Sequence, residues 1–101
     1  MEELTLQQDP QAAEIALEFA LASLRARGGH VLCVHHADKK VRAHLRKTAR
    51  RLKGEGRVSF FIPGEQLSPE DAETRYLLEK FPEQTAAGLP SASEEVTILC
   101  V

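Results

Sequence analysis

Aromatic residues are scarce in this chain, which has no Trp, one Tyr and four Phe among its 101 residues. The core of a single domain of this length must therefore be built from Leu, Val, Ala and Ile. The remaining composition, with 43% hydrophobic and 28% charged residues, is typical of a folded globular protein. It excludes an intrinsically disordered chain.

Long apolar runs and a secretory signal are also lacking. The longest apolar-rich stretch, residues 12–24, is interrupted by Glu14 and Glu18 and is shorter than the roughly 20 residues that cross a bilayer. The opening M-E-E-L-T-L has no basic start. The two cysteines, Cys33 and Cys100, each lie in an apolar run, which favours buried free thiols in a reducing compartment. We therefore expect a cytoplasmic protein with no membrane partner.

Strand and helix patterns alternate along the chain in the order β-α-β-α-β-α-β. The strand patterns cover residues 4–7, 31–34, 57–62 and 96–101, and the helix patterns cover residues 10–27, 39–53 and 68–81. Asp9, Asp38 and Ser68 are placed to cap the three helices. This order predicts one α/β domain over residues 1–101, with a mixed, mostly parallel four-stranded sheet layered with helices. The small polar residues at 83–93 predict a flexible loop.

The first helix has an unusually wide apolar face. Its polar residues are confined to a narrow stripe of Gln11, Glu14, Glu18 and Arg25. One sheet face does not require so wide an apolar arc, so the pattern indicates a further packing partner, with a homodimer as one form of it.

Positive charge is concentrated in the second helix, although the formal net charge of the chain is −2. Nine of the thirteen Lys and Arg residues lie between Lys39 and Arg57, with Glu55 as the only acid among them. Such local asymmetry is typical of surfaces that contact phosphate backbones or acidic proteins. The predicted nucleic-acid contacts are Lys39, Lys40, Arg42, Arg46, Lys47, Arg50, Arg51 and Lys53.

Two other interpretations of the basic helix stay open. In the first, the helix presents a solvated face whose charge is balanced by the acidic first and third helices. In the second, the helix docks an acidic protein partner. Within the nucleic-acid interpretation, no aromatic residue interrupts the run, so base stacking is not provided there. Binding to DNA or RNA would then depend on the phosphate backbone and on salt.

His35 and His36 follow the second strand, at the edge where α/β sheets bind ligands. An imidazole can act there as an acid or base, which makes His35 the candidate catalytic residue, although a structural histidine is the simpler interpretation. Strand alternation places Cys33 and His35 on one face. However, C-x-x-C and H-x-x-x-H spacings are lacking, so we expect no metal and no cofactor. A thiol in a buried strand is also a poor nucleophile.

In order and spacing, these elements resemble the Smr domain, the small MutS-related module. That family has a first strand with L-D-L-H-G, a second strand ending in H-G-x-G, and a helix opening near L-R. The corresponding segments here are Leu4-Thr5-Leu6-Gln7-Gln8, His35-His36-Ala37-Asp38 and Val41-Arg42. Thr5 and Gln7 replace the acid and the histidine of the first motif, and the glycines of the second motif are missing. Only His35 and Arg42 carry over, and the third helix would be an insertion.

The resemblance implies nucleic-acid binding, because Smr domains bind, nick or cleave nucleic acid. With the basic helix, it leads us to predict a small cytoplasmic nucleic-acid-binding domain without catalysis, in which residues 39–53 contact phosphates and His35 or His36 lines the adjacent edge. One alternative is a regulatory module that dimerises or docks an acidic protein partner. The other is an Smr-like nuclease that uses His35.

Overall fold

The computed structural model describes residues 1–6 and 8–101, and four strands alternate there with three α-helices. The order of elements and the α/β class are as predicted. The elements are β1 (Glu2–Thr5), α1 (Pro10–Ala26), β2 (Val31–His35), α2 (Lys39–Gly54), β3 (Phe60–Pro63), a 3₁₀ helix (Gly64–Gln66), α3 (Ala72–Lys80) and β4 (Val96–Cys100).

The four strands form one sheet in the order β1-β2-β4-β3, which confirms the prediction of a mixed four-stranded sheet. β1 and β2 are parallel, whereas β4 is antiparallel to both of its neighbours. Three strands thus share one direction, as expected, but only one neighbouring pair is parallel because β4 enters between β2 and β3 from the opposite end. All five residues of β4 are buried, as the central position of this strand requires.

Helices cover both faces of the sheet. On one face, α1 and α2 pack against Leu32, Val34 and Leu99. On the other face, Leu77 of α3 is fully buried in a cluster with alternate residues of the same strands, including Cys33. The alternation of side chains along each strand therefore supplies two cores.

The helix starts follow the predicted caps in two of three cases. Asp9 and Asp38 each accept hydrogen bonds from backbone N–H groups in the first turn of α1 and α2. The prediction that α3 begins at Ser68 is wrong. Ser68 accepts from a backbone N–H in a preceding turn, and Asp71 is the cap, accepting from the Thr74 N–H at 2.9 Å. Aspartate is as good a capping residue as serine, and the helix begins after Asp71.

The 3₁₀ helix was not predicted, and Gly64 at its start is required by close packing. A Cβ atom at this position would collide with the backbone carbonyl oxygens of Ser93 and Val96. The segment before β4 therefore lies directly against the end of β3. Residues 83–93 form turns and irregular structure without a strand or an α-helix, and the flexibility of this loop stays a prediction.

Helix α1 buries a narrower stripe than its sequence offers. The residues it buries are Ala13, Leu17, Leu21 and Leu24. Ile15 and Phe19 remain 70% and 76% exposed.

Among the described residues, no helix combines the length and the apolar character needed to span a membrane.

Candidate nucleic-acid interface

Helix α2 separates its apolar and cationic residues on opposite sides. Its buried residues are Val41, Leu45, Thr48, Ala49 and Leu52, which recur every three to four positions as one face of a helix does. The eight predicted cationic contacts are not equivalent, however, because three arginines are engaged by acids from elsewhere in the fold.

Arg46 lies along the sheet rather than in solvent. Its guanidinium donates to both carboxylate oxygens of Glu65, at 2.9 and 2.6 Å, and its side chain is only 14% exposed. The hydrogen bond from Arg46 holds the pKa of the Glu65 carboxyl below its usual value. Such a two-point contact fixes the side chain, so Arg46 connects α2 to the 3₁₀ helix.

Arg42 has a similar role at the start of the helix. Its side chain is 15% exposed and lies 3.4 Å from the Glu94 carboxylate, and it also donates to the backbone oxygen of Glu94. Arg42 therefore fastens α2 to the segment that leads into β4.

Arg51 is surrounded by acids of α1 and by Glu55, which directly follows α2. Its guanidinium lies 2.9 Å from Glu14 and 3.3 Å from Glu55, and the hydrogen bond with Glu55 raises the pKa of Arg51. His44 also reaches Glu14, at 3.0 Å, and this hydrogen bond lowers the pKa of the Glu14 carboxyl. The acidic first helix thus balances part of the charge, as one open interpretation required, whereas no acid of α3 forms an ion pair within the described residues.

The other five predicted contacts form what we call the outer cationic face. All five are exposed, and none of them forms an ion pair with any residue that the structure describes. At about 100° per residue, they occupy an arc of about 140° around the helix. The members of the face are Lys39, Lys40, Lys47, Arg50 and Lys53.

His35 lies at the end of β2 with its Nε2 2.9 Å from the Glu3 carboxylate and 3.6 Å from Cys33 Sγ. Cys33 and His35 therefore share a face, as predicted. Burial raises the pKa of the Cys33 thiol to about 11, so the thiol stays protonated near neutral pH. Both partners also meet the same ring nitrogen, whereas a nucleophile–histidine–acid relay needs them on opposite nitrogens. The arrangement does not support a cysteine nucleophile.

His36 points to the other face and is buried. Its Nε2 lies 2.9 Å from Thr97 Oγ1, and its Nδ1 has no hydrogen-bond partner among the described residues. Burial lowers the pKa of His36 to about 4, so the ring is neutral near pH 7. The role of this residue is therefore structural. Both histidines line a groove of about 200 Å³ at this sheet edge, but only His35 extends into solvent there.

The register of β1 and β2 places Thr5 opposite His35, so the segments compared with the first two Smr motifs meet at one sheet edge. Gln7, which stands where that family has a histidine, lies outside the described residues. No protein-family model matches the chain, and no curated protein or solved structure matches it significantly.

Three acids contact the predicted residues although nothing in the sequence assigns them to the site, namely Glu3, Glu65 and Glu94. Each meets its partner across at least 19 positions of sequence, so no local pattern marks these pairs. The alternation that predicted a common face for Cys33 and His35 could have suggested a third residue on the neighbouring strand, but not which one.

Proposed function

We propose that this protein binds nucleic acid through the outer cationic face of α2. The observation that carries the proposal is the division of charge on this helix. Arg42, Arg46 and Arg51 are engaged by carboxylates, while five cations on one side have no acidic partner within the described residues. Like charges repel at helical spacing and lower helix stability, and phosphate groups would relieve that repulsion.

The contact would be made with the phosphate backbone. Lys and Arg side chains release condensed counterions when they bind phosphates, and affinity for duplex DNA then falls with salt at a slope of about −0.9 per contact. Five contacts correspond to a slope of about −4.5. Phosphate contacts position a protein without specifying sequence, so we expect weak sequence preference.

Binding of labelled duplex DNA, single-stranded DNA and structured RNA across a salt series tests the proposal. The informative variant is Lys47→Ala with Arg50→Ala, which should flatten the duplex slope by about 2 and weaken all sequences alike. The matched control is Arg75→Ala, since Arg75 is an exposed cation of α3 on the opposite side of the sheet.

Two outcomes of this series would overturn the proposal. One is an absence of binding to all three substrates at low salt. The other is an identical slope for the double variant and the parent. Either result would direct attention to an acidic protein partner for the same face, which binding to an acidic polypeptide would then examine.

The Smr relationship is part of this proposal. Support for it comes from the β-α-β-α-β order and from the meeting of Thr5 and His35 at one sheet edge. If this relative also cleaves nucleic acid, His35→Ala should abolish cleavage while leaving the fold intact. Incubation of the binding mixtures without chelator, followed by a denaturing gel, measures this.

Self-association through α1 is the second candidate function. The high exposure of Ile15 and Phe19, one helical turn apart, favours it, because large apolar side chains exposed side by side are typical of contact surfaces. Sedimentation across a range of protein concentrations should show a dimer that Phe19→Glu dissociates. A parent that stays monomeric at all concentrations would exclude this function.

We also propose the cytoplasm as the location of the protein. Both thiols of the chain are buried and free, which fits a reducing compartment.

A further inference from the structure

Three different metal-binding side chains meet at the β1 edge of the sheet, on the face opposite α2 and its outer cationic face. The carboxylate of Glu3, the thiol of Cys33 and the imidazole of His35 each place one ligand atom within 4.8 Å of the other two. Strand pairing brings them together, because Glu3 of β1 lies opposite Cys33 of β2 in the parallel register. His35 follows two residues along β2 and so points to the same side.

The distances among these atoms can be compared with those of a tetrahedral zinc centre. Zinc lies about 2.3 Å from sulfur and about 2.0–2.1 Å from nitrogen, so tetrahedral angles separate the two ligand atoms by about 3.6 Å. Cys33 Sγ and His35 Nε2 are 3.6 Å apart. The nitrogen and the Glu3 oxygen, at 2.9 Å, would move apart by about 0.4 Å to reach the tetrahedral separation. The Glu3 side chain is free to do so, since it is 66% exposed.

The chemistry of the three ligands also suits one metal class. A thiolate with an imidazole selects zinc and similar transition metals over Mg²⁺ or Ca²⁺, which prefer oxygen. Two negative ligands, the thiolate and the carboxylate, neutralise a divalent cation. Pairing of the two strands holds the three residues in one register.

We propose that Glu3, Cys33 and His35 bind a divalent transition metal of the zinc class, with the fourth coordination position left to water. The absence of paired C-x-x-C or H-x-x-x-H spacings argued against a metal in the sequence, but those spacings belong to turns and helices. In a strand, the residues at i and i+2 share a face, and the neighbouring strand supplies the third ligand. The thiol gives up its proton on binding, so metal affinity rises with pH.

Co²⁺ is the probe that distinguishes this site, because a cobalt–thiolate bond gives a charge-transfer absorption. The full-length protein, freed of metal, should bind Co²⁺ at one equivalent with this absorption, and Zn²⁺ should displace it. Cys33→Ala should remove the absorption, whereas Cys100→Ala should keep it, because Cys100 is an equally buried thiol outside the group. Metal binding should also raise the unfolding temperature of the parent.

His35→Gln is the decisive variant, since His35 is half-exposed and its replacement leaves both cores intact. Removing a residue that only orients a metal ligand lowers metal affinity by about 10–100-fold. Removing His35, a direct ligand, should therefore lower the affinity by roughly 100-fold or more. The control is His30→Gln, which alters an exposed histidine outside the group and should bind Co²⁺ like the parent.

Three results would overturn the proposal. The parent fails to bind Co²⁺ or Zn²⁺ at micromolar concentrations, the thiolate absorption survives Cys33→Ala, or His35→Gln binds as tightly as the parent. In each case His35 and Glu3 form a hydrogen bond and nothing more. Nucleic-acid binding by the outer cationic face uses none of these three residues, so either proposal can fail without the other.

Discussion

The buried histidine of the sheet should make the protein sensitive to mild acid. His36 is held neutral chiefly by burial, and the nearby Arg46 and Arg42 further oppose a positive charge there, whereas Glu65 slightly favours it. Its pKa falls from the usual 6.5 to about 4. As the pH drops below 6.5, the unfolded chain therefore takes up a proton that the folded protein refuses. The stability that the neutral His36 contributes is fully present above the unfolded-state pKa of 6.5 and is lost as the pH falls toward 4.

The size of the effect follows from the two pKa values. At pH 5 the imidazole is about 97% protonated in the unfolded chain and about 10% in the folded protein. Between pH 7 and pH 5 this difference removes about 2 kcal/mol of unfolding free energy. The interval lies above the pKa of Glu14 and Glu65, which are both lowered, so these carboxylates contribute little to the change.

Urea unfolding of the parent and of His36→Leu at pH 7, 6 and 5 measures this contribution. The variant should lose about 2 kcal/mol less than the parent between pH 7 and pH 5, whatever its stability at pH 7. Thr97 keeps a donor in the variant, because Arg46 Nε also reaches its hydroxyl. His30→Gln, at an exposed position, should keep the pH dependence of the parent. The same pH dependence in parent and His36→Leu would refute the reasoning, as would an NMR titration of His36 near 6.5.

Four further substitutions, of which Lys47→Ala is the control for Arg46→Met, test the packing around the site by urea unfolding. Arg46→Met should lower the free energy of unfolding by about 1 kcal/mol, because the half-buried pair with Glu65 is lost. Lys47→Ala should change it by less than about 0.5 kcal/mol. Equal effects of the two substitutions would contradict the division of charges on α2. Gly64→Ala should destabilise by about 3 kcal/mol because its Cβ meets backbone oxygens, and a neutral effect would mean that the adjoining segment yields freely. Asp71→Ala should cost about 1 kcal/mol, and an unchanged free energy of unfolding would show that the start of α3 does not depend on this cap.

Part of the fold could be predicted because it depends on local patterns. The continuous apolar run at residues 31–34 identified a buried strand, and Asp38 identified the start of α2. The sequence did not show that Asp71 rather than Ser68 caps α3, since both are residue types that cap helices well. The 3₁₀ helix was missed for a related reason, because its glycine is required by a segment about 30 positions further along the chain.

The candidate sites divide in the same way. The sequence by itself determined that positive charge gathers on one helix opposite an apolar stripe, because a helix repeats every 3.6 residues. It also determined that Cys33 and His35 share a face, because strands alternate. Only the tertiary structure decided which arginines are engaged by acids, that β4 enters antiparallel between β2 and β3, and that Glu3 reaches His35. These features depend on contacts between residues distant in sequence, and their register is fixed only when the two cores pack.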